Sequence, residues 1–365
     1  MTMVPRELSQ RAAQAARVFV GVAPLSRVCL AGAMALALCA CAGTAPPSLP
    51  RLKVDADRVA VAGLSSGAYM ATQTHFAWSD RLRGAALVAG GPYGCAGGSL
   101  DVALGLCMAG QPDPARLAAR VRDRAGSGAV APLAGLQGDR VYVLHGKRDA
   151  TVSESVSRAG ESLYTALADE AGGIAVRWDG DRDFGHVMPT VDVGVDCIAG
   201  GSPYLGACGF DAAGEAMAWL FGDAPPAATS ATGELLAFDQ DALLADGEDA
   251  QLADRGWLYL PKVCADGERC GVLVVFHGCQ QNADAVGNAF ARDAGFNRWA
   301  DVHRVAVLYP QTRSSYLPLN PKACWDWWGY TGPDYDTRRG VQQRWLAAAM
   351  AALGAPLDGA SAAVK

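Results

Sequence analysis

One short stretch limits what this chain can fold into more than any other. Gly63-Leu64-Ser65-Ser66-Gly67 stands between a short apolar run of strand character, residues 58–62, and a helix-compatible run, residues 68–78. A strand that turns sharply into a helix at a serine needs glycines beside it, because they let the backbone pack closely around a strained residue whose Oγ projects from a sheet. The remainder of the chain suits such a sheet. Strand candidates at 58–62, 84–89, 140–144, 174–178, 233–238, 257–260, 272–276 and 305–309 are interleaved with amphipathic runs such as 153–168, 283–300 and 337–353. Alternation of this kind predicts an α/β fold with helices covering a mostly parallel sheet. No internal repeat is present.

Composition removes several function classes. With 51% hydrophobic and 19% charged residues the chain can bury a large core and is too apolar to be disordered. Its 43 glycines and 19 prolines show no three-residue period, which excludes a collagen-like chain. The net charge is −6 and no block of lysine or arginine occurs, so a nucleic-acid partner held by a basic face is not expected. A small or neutral partner is.

The first 41 residues read as a leader. Arg6, Arg11, Arg17 and Arg27 face a single acid, Glu7, and precede the uninterrupted apolar run 28–40. That run is shorter than the roughly 20 residues needed to span a bilayer and suits a signal peptide. Leu38-Cys39-Ala40-Cys41 resembles a lipoprotein box, with Cys41 as the lipidation site and membrane attachment through that lipid; ordinary cleavage nearby is the alternative. Residues 42–54, with Pro46, Pro47 and Pro50, read as a linker, and 55–365 as a single catalytic domain. A softer stretch at 222–232 could divide that domain, but neither side of it alone supplies a complete site.

Export also explains the cysteines. Outside the leader there are eight, Cys95, Cys107, Cys197, Cys208, Cys264, Cys270, Cys279 and Cys324, and an even number in an exported chain reads as disulfides. Neighbours in sequence suggest Cys95–Cys107, Cys197–Cys208 and Cys264–Cys270, which leaves Cys279 with Cys324. No spacing looks like a metal site.

Ser65 is the candidate nucleophile, and a serine hydroxyl needs a base. Of five histidines, His75 lies inside the helix after the elbow, His303 in a polar approach to a strand, and His145 and His277 end strands just before glycine. His186 lies in a loop, Gly180-Asp181-Arg182-Asp183-Phe184-Gly185-His186, late relative to Ser65, where the hydrolase order serine, acid, histidine places the base. Asp149, after the strand candidate 140–144, is the candidate acid; Asp181 and Asp183 are rivals in the histidine's own loop, and a helix cap for 153–168 is the alternative role for Asp149. The backbone N–H of Ser66 is one candidate oxyanion donor. The loop that normally supplies the second precedes the elbow, yet nothing suitable does so here. Far downstream, the run 272–276 ends in His277-Gly278-Cys279-Gln280-Gln281, which offers the N–H of Cys279. A circular permutation accounts for the displacement. Cys324-Trp325-Asp326-Trp327-Trp328-Gly329-Tyr330 is either a core cluster or an apolar platform beside the site, with Trp327 or Trp328 lining the cleft.

Together the elbow with Ala68-Tyr69-Met70-Ala71, Asp149, Gly185-His186, His277-Gly278-Cys279-Gln280-Gln281-Asn282-Ala283-Asp284 and the segment 324–330 resemble extracellular poly(3-hydroxybutyrate) depolymerases of the single-domain, circularly permuted α/β-hydrolase type. The resemblance covers residues 55–350. It implies a serine esterase with Ser65, Asp149 and His186 as triad, Ser66 and Cys279 as oxyanion amides, and a Cys279–Cys324 disulfide. It further implies a polymer-contacting crevice bearing Trp325, Trp327, Trp328 and Tyr330. No cofactor, no metal and no added substrate-binding domain are expected, and the expected state is a monomer. The expected substrate is a short-chain polyhydroxyalkanoate, polymer or oligomer. Two alternatives remain: a carbohydrate esterase removing acetyl or feruloyl groups from plant polysaccharide, and a non-catalytic polymer-binding surface lipoprotein.

Overall fold

A computed structural model describes residues 47–245 and 247–358; the expected leader with Cys41, and the first residues of the expected linker, lie outside the described residues. Residues 47–53 do not hang free. Asp239 donates its N–H to the Pro47 carbonyl at 3.0 Å, Leu52 donates to the Leu353 carbonyl at 2.8 Å, and Leu49 is buried. Among the described residues, no helix is long and apolar enough to cross a membrane.

The strands in chain order are β1 (Val54–Leu64), β2 (Gly84–Val88), β3 (Arg140–Gly146), β4 (Ala175–Arg182), β5 (Met188–Thr190), β6 (Val195–Asp196), β7 (Leu205–Ala207), β8 (Glu234–Asp239), β9 (Arg255–Leu260), β10 (Cys270–Phe276) and β11 (Val305–Tyr309). Eight form one sheet in the order β4-β3-β2-β1-β10-β11-β9-β8, parallel from β4 through β11 and antiparallel at the β9 and β8 edge. The first strand of the chain is therefore near the middle of the sheet, and its neighbour β10 comes from far downstream. This is an α/β-hydrolase sheet in circularly permuted order: the strand β10, whose place in that fold is ordinarily filled from upstream of the elbow, follows it here.

Side-chain alternation builds the two faces. Val59 and Val61 of β1 point into one core, where they meet Met70 and Phe76 of helix α1 (Ser66–Trp78) and Leu163 of the helix Glu154–Ala171. Ala60, Ala62 and Leu64 point into the other, against Met217 of the helix Ala212–Phe221 and Phe296 of the helix Phe296–His303. Strand β10 divides in the same way, Val272 and Val274 to the first core and Leu273 and Val275 to the second. Because both faces are covered, these strands read as apolar runs rather than as alternating ones.

Two elements differ from expectation. The run 283–300 is not one helix but three, Ala283–Val286, Ala289–Asp293 and Phe296–His303. Gly287 and Gly295, at φ 62° and 93°, break it, since a left-handed residue ends a right-handed helix. A separate three-stranded sheet, ordered β5-β7-β6, follows His186; its strands of two or three residues are too short to leave a periodic signal.

Among the described residues there are four disulfides: Cys95–Cys107, Cys197–Cys208, Cys264–Cys270 and Cys279–Cys324. The last spans 45 residues and constrains the unfolded chain most, worth about 4 kcal/mol on chain-entropy grounds.

Candidate active site

The sharp turn between β1 and α1 is built by steric exclusion. Ser65 has φ 57° and ψ −121°, a region that costs a non-glycine residue about 1–3 kcal/mol and persists only when its surroundings enforce it. They do: its N–H donates to Val88 at 2.9 Å, and its carbonyl accepts from Ala68 and Tyr69 at 2.9 and 3.1 Å. A Cβ at Gly63 would stand 2.2 Å from the Gly67 carbonyl oxygen, and one at Gly67 would stand 2.2 Å from that of Phe276. The glycine on the helix side thus lets α1 press against the end of β10.

His186 and Asp149 meet across the ends of neighbouring loops. Asp149 follows β3, its side chain fully buried; Oδ2 accepts from His186 Nδ1 at 2.7 Å, and Oδ1 accepts from the N–H groups of Thr151 and Val152 at 2.8 and 2.9 Å. Burial alone would raise this carboxyl, but the hydrogen bond and charge of His186 and the two amides together hold it below the usual carboxylate range. Asp149 is not the helix cap: the following helix, Glu154–Ala171, starts after Ser153, and Oδ1 instead closes the turn that precedes it. The rivals lie elsewhere. Asp183 is exposed and pairs with Arg148 at 3.1 Å, and Asp181 is fully exposed, near Lys147. With Nδ1 donating to a carboxylate, the imidazole keeps Nε2 as its proton acceptor.

The other four histidines are buried, and His75, His145 and His277 make side-chain hydrogen bonds. His75 lies between Tyr164 and Asp139, His145 contacts Ser157 at 3.1 Å, and His303 sits beside Phe221. His277 shapes the loop after β10. Its Nδ1 donates to the Gly278 carbonyl at 2.7 Å, while Nε2 accepts from the Thr312 N–H at 3.2 Å. Complete burial lowers its pKa to about 4, so the ring is neutral in the fold. The unfolded chain binds a proton near the ordinary value of 6.5. The resulting stability is complete above that value and is lost as pH falls from 6.5 to about 4, by about 3 kcal/mol in total. Urea titrations at pH 4.5 and 7 should therefore differ less for His277→Gln than for the wild-type chain; an unchanged difference would remove His277 as a source of acid lability.

Because the peptide bond is trans and planar, holding the Gly278 carbonyl inward turns the Cys279 N–H the other way. A Cβ at Gly278 would lie 3.4 Å from that of Ser65, so this loop passes directly beside the elbow. No acceptor among the described residues takes the N–H of Cys279 or of Ser66, the first residue of α1.

Ser65, Ser66, His186 and Cys279 all open on one cleft of about 450 Å³. Leu100, Leu104 and Met108 form one wall, on and beside the loop closed by Cys95–Cys107. Trp327 and Trp328 form another; Trp327 stacks on Tyr69 with ring centroids 4.4 Å apart. Trp325 and Tyr330 do not line it. Trp325 is buried beneath, edge-on to Phe276 at 4.9 Å, and the Tyr330 hydroxyl donates back to the Cys324 carbonyl at 2.9 Å. Asp326 decides this division: its buried carboxylate gathers the N–H groups of Gly329, Tyr330 and Thr331 and folds the segment into a tight turn, so successive rings leave in different directions.

The family described as "Esterase PHB depolymerase" is matched over residues 256–342. A poly(3-hydroxybutyrate) depolymerase of Delftia acidovorans is 38% identical over 341 residues, 91% of this chain and 65% of that protein. A polyhydroxybutyrate depolymerase of Talaromyces funiculosus is 33% identical over 318 residues, 82% of this chain and 91% of its own length. The chain belongs to the PHB depolymerase family. The crystal structure of PHB depolymerase from Penicillium funiculosum superposes with a TM-score of 0.75 at 30% identity, covering 85% of this chain and 99% of that one. A PHB depolymerase complexed with R3HB trimer does so with the same TM-score and coverage at 29% identity. The chain thus spans about two thirds of the Delftia relative and nearly all of the solved structures.

In this family member several cleft residues carry no motif. Leu100, Leu104, Met108, Tyr204 and Leu319 line the cleft without any periodic or spacing signal of their own. The cysteine pair around the first two marks a closed loop, but not the side of the molecule it faces.

Proposed function

We propose that this chain is a serine esterase that hydrolyses poly(3-hydroxybutyrate) or related short-chain polyhydroxyalkanoates, as polymer or oligomer. The observation that carries the reading is the hydrogen bond from His186 Nδ1 to the buried Asp149 at 2.7 Å, beside a strained Ser65 on the same cleft. Family membership directs the substrate choice, because one relative of this fold is complexed with an R3HB trimer.

His186 Nε2 takes the proton of Ser65 Oγ as that oxygen adds to an ester carbonyl. The carbonyl oxygen becomes an oxyanion between the amides of Ser66 and Cys279, whose dipoles need not reorganise. Collapse breaks the ester bond, and the proton held on His186 passes to the departing alkoxide, which leaves as the hydroxyl end of one product. Water then adds to the acyl-Ser65 carbonyl as His186 takes its proton; collapse breaks the bond to Oγ, which takes that proton back from His186, and the acid product ionises to a carboxylate on release. Asp149 stays ionised throughout and stabilises the imidazolium. Trp327, Trp328 and the leucine wall offer an apolar surface that suits the methyl-bearing polyester backbone.

Residues 55–365 are read as one catalytic domain, exported behind the 1–41 leader and either released or anchored through Cys41. Release of 3-hydroxybutyrate from a poly(3-hydroxybutyrate) film, with mass-spectrometric labelling of Ser65 by a fluorophosphonate, tests the assignment. Hydrolysis of acetylated or feruloylated xylan with no release from the film would turn the reading to a carbohydrate esterase, and an unlabelled serine with no ester hydrolysis would make the protein a binding module.

A further inference from the structure

We infer that Gln281 is a positioning residue of this site: it clamps the loop after β10 to the insertion that follows His186 and thereby aims the Cys279 N–H at the carbonyl under attack. The inference rests on the serine esterase reading above and adds to it a residue that touches neither substrate nor nucleophile.

Gln281 is 1% exposed, and its side-chain amide is fully used. Oε1 accepts from the Gly278 N–H at 2.7 Å, and Nε2 donates to the carbonyls of Pro203 and Tyr204 at 2.9 and 3.1 Å. Its own backbone N–H donates to the Gly278 carbonyl at 3.2 Å, joining His277 Nδ1 on the same oxygen. Both polar groups of Gly278 are therefore held, one from the β10 side and one through Gln281. A primary amide is the side chain that offers one acceptor and two donors from a single planar group, and this position uses all three. The residue following, Cys279, is left with its N–H free among the described residues and is fixed from behind by the bond to Cys324.

The far end of the clamp gives it meaning. Pro203 and Tyr204 belong to the insertion carrying β5 to β7, which begins directly after His186 and is closed by Cys197–Cys208. At its start, the Gly185 N–H just before His186 donates to the Cys197 carbonyl at 2.8 Å, and Val187 just after it packs beside Gly206. One buried amide thus links the loop that bears the oxyanion donor to the loop that bears the base. The two loops share no covalent connection nearer than the length of chain between residues 208 and 278, so their spacing depends on such contacts.

The test uses the full chain with two substitutions of nearly the same size. Gln281→Glu keeps an acceptor for Gly278 and loses both donors; Gln281→Met loses all three bonds. For each, kcat on p-nitrophenyl butyrate is measured per active site titrated by fluorophosphonate, with Tm as a control for folding. The expected result is a fall in kcat of about 100-fold with KM changed less than about threefold, as when a donor to the transition state alone is displaced. Affinity for an alkyl trifluoromethyl ketone, which adds to Ser65 and places an oxyanion in the same position, should weaken by the same factor as kcat/KM. Inhibition by free 3-hydroxybutyrate should not change. Unchanged kcat per titrated site would overturn the inference, as would a loss confined to Tm or to the yield of folded protein in both variants, since each marks Gln281 as structural only. A wild-type chain that is neither labelled nor hydrolytic would overturn the underlying reading instead.

Discussion

Ser65→Ala is expected to lower kcat on soluble 3-hydroxybutyrate oligomers by about 10⁶-fold, to the level left by binding and oxyanion contacts alone. The loss should be this large because in the proposed mechanism Oγ forms the covalent bond, and among the described residues Ser66 is the one other serine lining the cleft. Ser66 is adjacent, but its side chain is buried within the first turn of α1 and its proposed part is its backbone amide. Stability should hardly move. Alanine at φ 57° bears the same backbone strain as serine, and the Ser65 hydroxyl makes no hydrogen bond to the described residues that would be lost. Circular dichroism and Tm close to wild type, together with absent product by chromatography, are the expected pair of results. Residual hydrolysis above about 1% of wild type would mean that the nucleophile lies elsewhere.

Gly67→Ala should produce a different pattern, a loss of stability together with a loss of activity. An added methyl would lie 2.2 Å from the carbonyl oxygen of Phe276 and 2.4 Å from that of His277. Both are backbone atoms at the end of the strand paired with β1, where Gly63 faces Phe276. No rotamer relieves the contact, so α1 must move away from β10 by about 1 Å or the strand end must bend. Helix propensity favours alanine by about 1 kcal/mol at such a position, but overpacking against rigid backbone costs about 3 kcal/mol or more and decides the sign. A fall in Tm of roughly 5–10 °C is expected. Activity should drop further than the unfolded fraction explains, since the displaced backbone leads straight into Gly278 and Cys279. A Gly67→Ala chain with wild-type Tm and kcat would show that α1 and β10 do not approach as closely as described.

These substitutions also separate what is local from what is collective. The elbow, the eight strands of the main sheet and the closed loop around Leu100 and Leu104 are legible because each depends on residues a few positions apart: a short apolar run, a glycine that must lack a Cβ, two cysteines twelve residues apart. The run 283–300 departs from its pattern because apolar periodicity continues across Gly287 and Gly295, and periodicity says nothing of a backbone that turns left-handed between two helical turns. In the aromatic segment the residues themselves point to Trp327 or Trp328 on the cleft, where both stand, whereas the family resemblance also implies Trp325 and Tyr330, which the turn around Asp326 sends elsewhere.

The amino-acid sequence by itself determined the strand-turn-helix at Ser65 and the α/β layering, because steric exclusion and side-chain alternation act between near neighbours whatever the rest of the chain does. Only the tertiary structure decided that β10 lies beside β1, that Asp149 rather than Asp181 or Asp183 meets His186, and that Gln281 reaches Pro203 and Tyr204. Those meetings join residues tens to hundreds of positions apart. Their geometry follows from the packing of two apolar cores on one sheet, a property of all the contacts together and of no single stretch of residues.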